Sequence, residues 1–194
     1  MNSLLAKLSP TATNMIRLDH THVMATFHQF EADTPAPVKR ALVNTICLAL
    51  EIHAQLEEEI FYPAMRAVPG DEGAVAKSFP EHDEMKRLIA ALRGMEAGDA
   101  DFDRTFMELM RDVLHHVADE ETTLLADAER LIPEQLSELG ARMTRRRLEL
   151  AAPRAGEIAV NTFGAIPLKT MLMGVGLAAA AGGYALKRSR KSGD

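Results

Sequence analysis

The reading of this chain turns on one stretch, His53-Ala-Gln-Leu-Glu57-Glu58-Glu59-Ile-Phe-Tyr-Pro63. An α-helix turns about 100° per residue, so residues four apart, such as His53 and Glu57, share a face one turn apart. The apolar residues Leu42, Ile46, Ala49, Ile60 and Ala64 keep roughly the same stripe. An imidazole and a carboxylate therefore stand in the middle of a face whose pattern marks it as buried. A buried carboxylate is costly unless a charge or hydrogen bonds satisfy it. The arrangement returns 63 residues later as His116-Val-Ala-Asp-Glu120-Glu121, on a face with Phe106, Leu109, Val113 and Leu124. Two helices that each carry His-x-x-x-Glu on an apolar face point to one shared metal site.

Around this pair the chain reads as helices throughout. It is rich in Ala, Leu, Glu, Arg and Met, lacks Trp, and shows no period-two run of β-branched residues, so the expected class is all-α. Residues 1–10 read as a lead-in. Ser9-Pro10 or Thr13 starts a first helix with Ile16, His20, Val23, Met24 and Phe27 on one face, ending before Thr34-Pro35-Ala36-Pro37. A second helix runs from about Val38 to Tyr62, bends at Pro63 and ends at Pro69-Gly70. A third begins near Glu72, carries Val75, His82, Met85, Ile89 and Leu92, and holds Pro80, which marks a kink or a late start. A fourth, capped by Asp101 or Asp103, reaches about Leu131. Short connections make neighbours antiparallel, so the expected fold is an up-down-up-down four-helix bundle over 11–132 with a C-terminal helical extension. Length suits one domain with a substantial core. The single cysteine, Cys47, excludes an intramolecular disulfide framework and reads as a small apolar residue rather than a redox sensor.

Each of the four helices offers one histidine near its middle on the apolar stripe: His20, His53, His82 and His116. Helices pack about 8–10 Å apart, so inward side chains at one level converge. Imidazole suits iron, zinc, copper or nickel, and carboxylates add hard oxygen donors. Glu57 and Glu120, with two oxygens each, are placed to bridge two metal ions. A lone histidine on an apolar face is commonly a satisfied core residue, and His-x-x-x-Glu is also a common surface pair. It is the joint pattern across four helices that points to metal. Glu58, Glu59 and Glu121 read as solvated, or as partners that support the ligands, rather than as ligands, and His22, His28 and His115 as exposed or rim residues. A ferritin-like site would want Glu-x-x-His on two helices; the nearest matches, Asp19-x-x-His22 and Asp112-x-x-His115, carry Asp instead.

These residues resemble the hemerythrin-like domains, also called HHE cation-binding domains. The carriers are Leu18-Asp19-His20, His53-x-x-x-Glu57 followed by Ile60-Phe-Tyr-Pro63, Glu81-His82-Asp83-Glu84, and His115-His116-x-x-x-Glu120-Glu121, over about 11–132. The resemblance implies a four-helix bundle with two non-haem iron ions, oxo- or hydroxo-bridged, that bind or react with O2. His20, His53, His82 and His116 would be terminal ligands, and Glu57 and Glu120 the bridges. The oxygen-carrying hemerythrins place two histidines four apart on helix three, where this chain has Lys86 after His82. They space the helix-four pair by five with Asp as the acid, whereas His116 and Glu120 are four apart and His115 and Glu120 five. The implied role is thus binding or sensing of O2, iron or redox state. The alternatives are an enzyme consuming peroxide, O2 or NO, and a metal-free interaction scaffold.

Charge divides the chain. Residues 1–131 hold 12 Lys and Arg against 23 Asp and Glu, and residues 132–194 hold 10 against 5. The acidic front argues against nucleic acid as a partner. Pro133 opens a fifth, basic helix over 133–157, with Arg142, Arg145, Arg146 and Arg147. In 158–194 the uncharged run TMLMGVGLAAAAGGYAL, Thr170 to Leu186, is followed by Lys187-Arg188-Ser-Arg190-Lys191. Seventeen residues reach about 26 Å of the roughly 30 Å hydrocarbon core, and the glycines suit close helix packing in a membrane. The expected location is the cytoplasm, with this segment reaching the inner membrane; the alternatives are an Ala/Gly-rich helix on the bundle or a disordered tail. The first residues lack a charged region followed by an apolar run, so no secretory signal is expected.

Overall fold

Two apolar clusters fill the molecule, and the chain passes from one to the other four times. The first holds Ile16, Leu56, Tyr62, Met65, Val75, Leu124 and Leu125; the second holds Val23, Ile46, Leu50, Met85, Phe106 and Val113. On helix α1 (Ala12–Phe27) the order is first then second, and His20 falls between. On α2 (Ala36–Leu56) the order is reversed, with His53 between Leu50 and Leu56. A helix over Glu72–Arg93, α4 in chain order, again runs from the first cluster to the second across His82. Phe102–Asp119, α5, returns across His116. This alternation is an up-down-up-down bundle, and the four histidines form a belt between its two apolar halves. The computed structural model describes residues 8–68 and 72–165.

Both rods that carry His-x-x-x-Glu change pitch at the glutamate. After α2 the chain makes a π-helical turn, Glu57–Phe61, then continues as α3 (Tyr62–Arg66). After α5 it makes another, Glu120–Leu124, then continues as α6 (Leu125–Leu131). The Tyr62 amide reaches back five residues to the Glu57 carbonyl, and the Leu125 amide to the Glu120 carbonyl. Such widened turns cluster at functional sites. The bend expected at Pro63 is therefore a π turn that starts six residues earlier. Proline is not its general cause, because Glu120-Glu-Thr-Thr-Leu124 contains none. The common feature is a buried glutamate.

Other expectations shift in detail. Thr11 caps α1, its Oγ1 accepting from the Asn14 amide at 3.4 Å. Pro80 lies inside α4, which runs as one helix from Glu72. Asp101 occupies the N-cap position of α5, but its carboxylate pairs with Arg104 at 2.8 Å instead of capping. Cys47 is buried, and burial pushes its thiol up to about 12, as suits a small apolar residue.

Beyond the bundle, Pro133–Gln135 forms a 3-10 turn into α7 (Leu136–Ala151), and a second turn, Ala152–Arg154, leads to α8 (Ala155–Gly164). Leu136, Leu139 and Met143 bury their side chains in the first apolar cluster, so α7 is part of the core. Helix α8 lies along α2. The helix that opens the segment read as 158–194 therefore packs on the bundle, with Asn161 buried against it. Among the described residues no helix is long and apolar enough to cross a membrane, and the run Thr170 to Leu186 lies outside them. Gly140 is where α7 meets the start of α1: a Cβ there would collide with the Pro10 carbonyl oxygen and lie 2.9 Å from the Thr11 carbonyl carbon. In an open helix Gly→Ala gains roughly 0.5–1 kcal/mol. Here the sign should reverse, with Gly140→Ala costing about 1–3 kcal/mol of overpacking, read as a lower urea midpoint.

Candidate metal centre

The belt residues are buried: His82 and Glu57 at 0% exposure, His116 at 2%, Glu120 at 3%, His53 at 4% and His20 at 5%. Each imidazole uses its Nδ1 outward. His20 Nδ1 meets Glu121 Oε1 at 2.8 Å, His53 Nδ1 meets Asp19 Oδ2 at 3.4 Å, His82 Nδ1 meets Glu58 Oε1 at 2.9 Å, and His116 Nδ1 meets Glu81 Oε2 at 2.9 Å. An ionised carboxylate only accepts, so the proton belongs on Nδ1, and a neutral ring then presents its Nε2 lone pair inward. This is the arrangement by which metal-binding histidines are oriented and made more basic.

The inward nitrogens meet the two central acids. His53 Nε2 is 3.2 Å from Glu57 Oε1, and His82 Nε2 is 3.4 Å from Glu57 Oε2. Glu120 Oε2 lies 3.3 Å from His20 Nε2 and 3.8 Å from His116 Nε2. The Nε2 atoms of His82 and His116 approach to 3.3 Å. Two groups of donors result, each with its ligand atoms within 4.8 Å of one another: His20, His53, Glu57 and Glu120, and Glu57, His82 and His116. His20 Nε2, Glu57 Oε1 and Glu120 Oε2 are buried without a hydrogen-bond partner. Buried polar atoms are rarely left so, and a cation held by these atoms would satisfy all three. The donor set, imidazole nitrogen with carboxylate oxygen, fits iron.

All six residues expected as ligands thus converge. His22 and His28 are exposed, as expected. His115 is exposed too, its side chain at 68%, and pairs loosely with Asp119 at 3.8 Å; it points away from the belt. Lys86 reaches solvent and donates to both oxygens of Glu58, at 2.7 and 2.9 Å. The structure also gives the partners that hold these ligands. Tyr62, wholly buried, donates its hydroxyl to Glu57 Oε2 at 3.0 Å, with His82 Nε2 at 3.3 Å and Glu120 Oε1 at 3.4 Å. On a π turn the fifth residue on returns to the same face, which brings Tyr62 over Glu57. Asp19, Glu58, Glu81 and Glu121 each orient a histidine. Their signal was adjacency, since each is next in sequence to a belt residue.

Above the belt lies a small pocket lined by Val23, Leu50, Met85, Ile89 and Val113, with the four histidines at its base and Lys86 at its rim. Its volume, about 20 Å³ measured to the centre of a water-sized sphere, just exceeds the roughly 10–15 Å³ that one water needs. It suits a diatomic or a single solvent molecule.

A helical bundle with a belt of buried donors that could hold a metal is what this fold defines. The family model described as Hemerythrin HHE cation binding domain matches residues 11–128, and the chain belongs to that family. A DNA nickase of Nostoc sp. (strain PCC 7120 / SAG 25.82 / UTEX 2576) is 31% identical over 113 residues, 58% of this chain and 32% of the nickase. The chain thus spans about a third of that relative's length. The crystal structure of a Hemerythrin HHE cation binding domain-containing protein from Mycobacterium kansasii is similar with a TM-score of 0.66 at 17% identity, over 80% of this chain and 99% of that one. That likeness is one of fold.

Protons would compete with a metal here. For His20, burial is the largest influence and lowers its pKa, but Glu120, Glu57 and Glu121 outweigh it and push it from 6.5 up to about 9. For His82, burial again pulls down while Glu57 and Glu58 push up, to about 9. Burial raises Glu57, yet His53, His82 and His116 hold it far below the ordinary 4.5. The stability from protonated His20 and His82 is fully present below about 6.5 and lost as pH rises through about 9. That from Glu57 is present above 4.5 and lost as pH falls toward its lowered value. Protein stripped of metal should therefore show a higher urea midpoint at pH 6 than at pH 10, and a flat profile would contradict this account of the belt.

Proposed function

We propose that this chain is a non-haem diiron protein of the hemerythrin-like kind that binds or senses O2, iron or redox state. The observation that supports it most is that Glu57 belongs to both donor groups, with one oxygen toward His53 and the other toward His82. One ion would be held by His20, His53, Glu57 and Glu120, the other by Glu57, His82 and His116, with Glu120 the second bridge. Bound, the pair would supply reversible one-electron chemistry and a position for a small ligand. The chain's own residues define what reaches it. The apolar walls of the pocket admit an uncharged diatomic and disfavour ions. Tyr62 fixes Glu57 through its hydroxyl. Lys86 stands where an oxygen carrier has a second histidine and is engaged with Glu58, so the ion on the His82 side would lack a donor that a carrier supplies. That favours ligand exchange there and suits sensing, or turnover of peroxide, O2 or NO, over carriage. Nucleic acid has no place in this reading, given the acidic front of the chain.

Metal analysis with an optical spectrum tests the proposal. Two irons per chain and near-ultraviolet charge-transfer absorption are expected; none would leave a helical scaffold. Steady consumption of peroxide would move the reading to an enzyme. Glu57→Ala or Glu120→Ala should reduce iron to one or none per chain, and two irons retained in both variants would refute the bridges. His116→Ala should lose metal while His115→Ala keeps it; the reverse would restore a five-residue spacing on α5.

A further inference from the structure

The basic extension reaches the metal centre through one residue. Arg147, on α7 and outside the stretch that the family model matches, grips Asp19 with both arms of its guanidinium: Nη1 donates to Oδ1 at 2.7 Å, and Nη2 to Oδ2. Asp19 Oδ2 is the acceptor for His53 Nδ1 at 3.4 Å. The Asp19 side chain is 14% exposed and that of Arg147 33%, so the pair is partly withdrawn from solvent and a planar two-pronged grip fixes direction as well as charge. The carboxylates behind the other three histidines are met differently: Glu58 is held by Lys86, Glu81 has Lys77 at 3.7 Å, and Glu121, 39% exposed, lies within the electrostatic reach of Arg17.

Resting on the diiron reading, we propose that Arg147 is a positioning residue for one of the two metal sites, the one built on His20 and His53. It fixes the carboxylate of Asp19, which fixes the tautomer and tilt of His53. Asp19 is tied at both oxygens by Arg147, so it cannot rotate to meet solvent and release the imidazole. Without Arg147 a mostly buried carboxylate would keep only the imidazole as partner, swing toward water, and leave His53 free to turn. The extension would then be a part of the metal centre as well as of the core, acting on one ion and not on the other. The same helix supplies the control. Arg146 grips Glu59 in the same two-pronged way, at 2.7 and 3.1 Å, but Glu59 accepts from Gln55 at 2.7 Å and touches no histidine.

The test is cobalt(II) titration of the full chain, followed by its visible ligand-field spectrum, for the natural protein, Arg147→Ala, Arg147→Lys and Arg146→Ala, with far-ultraviolet circular dichroism as the check of folding. Losing the group that orients a ligand histidine typically costs 10–100-fold in affinity. Arg147→Ala should weaken one of two binding steps by about tenfold, at the low end of that range because it acts through Asp19. The other step should stay within about twofold of natural. Lysine should restore part of the loss, and Arg146→Ala should leave both steps in place. Two unchanged steps in Arg147→Ala, or an equal loss in Arg146→Ala, would overturn the proposal. A natural protein that binds fewer than two cobalt ions would overturn the dinuclear reading instead. The linkage to His53 is then read in metal-stripped protein by the 15N shift of its Nδ1: a shift in Arg147→Ala alone supports the proposal, and none refutes it.

Discussion

Two carboxylates held in a dry core govern this structure. Glu57 and Glu120 have almost no exposure, and withdrawing an ion from water costs several kcal/mol even after relaxation. Nothing apolar can offset that, so the layer around them must be polar and of opposite tendency. Four imidazoles provide it, at 3.2–3.8 Å. The imidazoles are buried too, and each is satisfied in turn by a further carboxylate nearer the surface. Charge thus alternates outward from acid to imidazole to acid, and Lys86 and Arg147 close two of these series. The apolar clusters on either side confine the polar layer to one level, which is why the helices need only one belt residue or pair each.

The outer acids form a closed ring. Asp19 of α1 serves His53 of α2; Glu58, after α2, serves His82 of α4; Glu81 of α4 serves His116 of α5; Glu121, after α5, serves His20 of α1. On α1 and α4 the acid precedes the belt histidine, and on the α2 and α5 rods it follows the belt glutamate. This alternation is geometric. A neighbour in sequence points about 100° round the helix, and seen from one end of the bundle the sense of that rotation reverses between antiparallel helices. A residue before on one helix and a residue after on the next therefore point round the bundle in the same direction. Antiparallel topology and a ring of constant sense together dictate the pattern Asp-His, Glu-Glu, Glu-His, Glu-Glu.

Periodicity made the bundle and the six belt residues legible, because a 3.6-residue stripe that carries histidine on four helices has few other uses. It did not reveal the π turns. A turn with one extra residue shifts the stripe by about 100°, and over a five-residue window flanked by Ile60, Phe61 and Leu124 either phase looks apolar. Tyr62 was hidden by the same ambiguity, since its place over Glu57 exists only in the widened turn. The ring acids were legible only as an alternative, because Glu58 and Glu121 sit in runs of charge that ordinarily face solvent. Whether such a residue meets water or a neighbouring imidazole depends on the adjacent helix, which no single-helix pattern contains.

The charge asymmetry of the chain has a local cause over the described part of its basic half. Arg146 pairs with Glu59, Arg147 with Asp19 and Arg154 with Glu51, while Arg93 joins Glu51 to Glu157. The basic extension and the acidic bundle are two halves of one interface. A pair as exposed as Arg146 with Glu59 contributes roughly 0–1 kcal/mol, so charge alone does not hold α7 in place. The buried side chains of Leu136, Leu139 and Met143, and the close fit of Gly140 on Pro10 and Thr11, do that. What the arginines add is register. An apolar stripe alone tolerates a shift of one turn along α7, but Arg146 and Arg147 are neighbours pointing to different helices, and only one position along the groove lets Glu59 and Asp19 be met together. The packing supplies the affinity of the extension for the bundle, and the paired charges decide where along the bundle it stops.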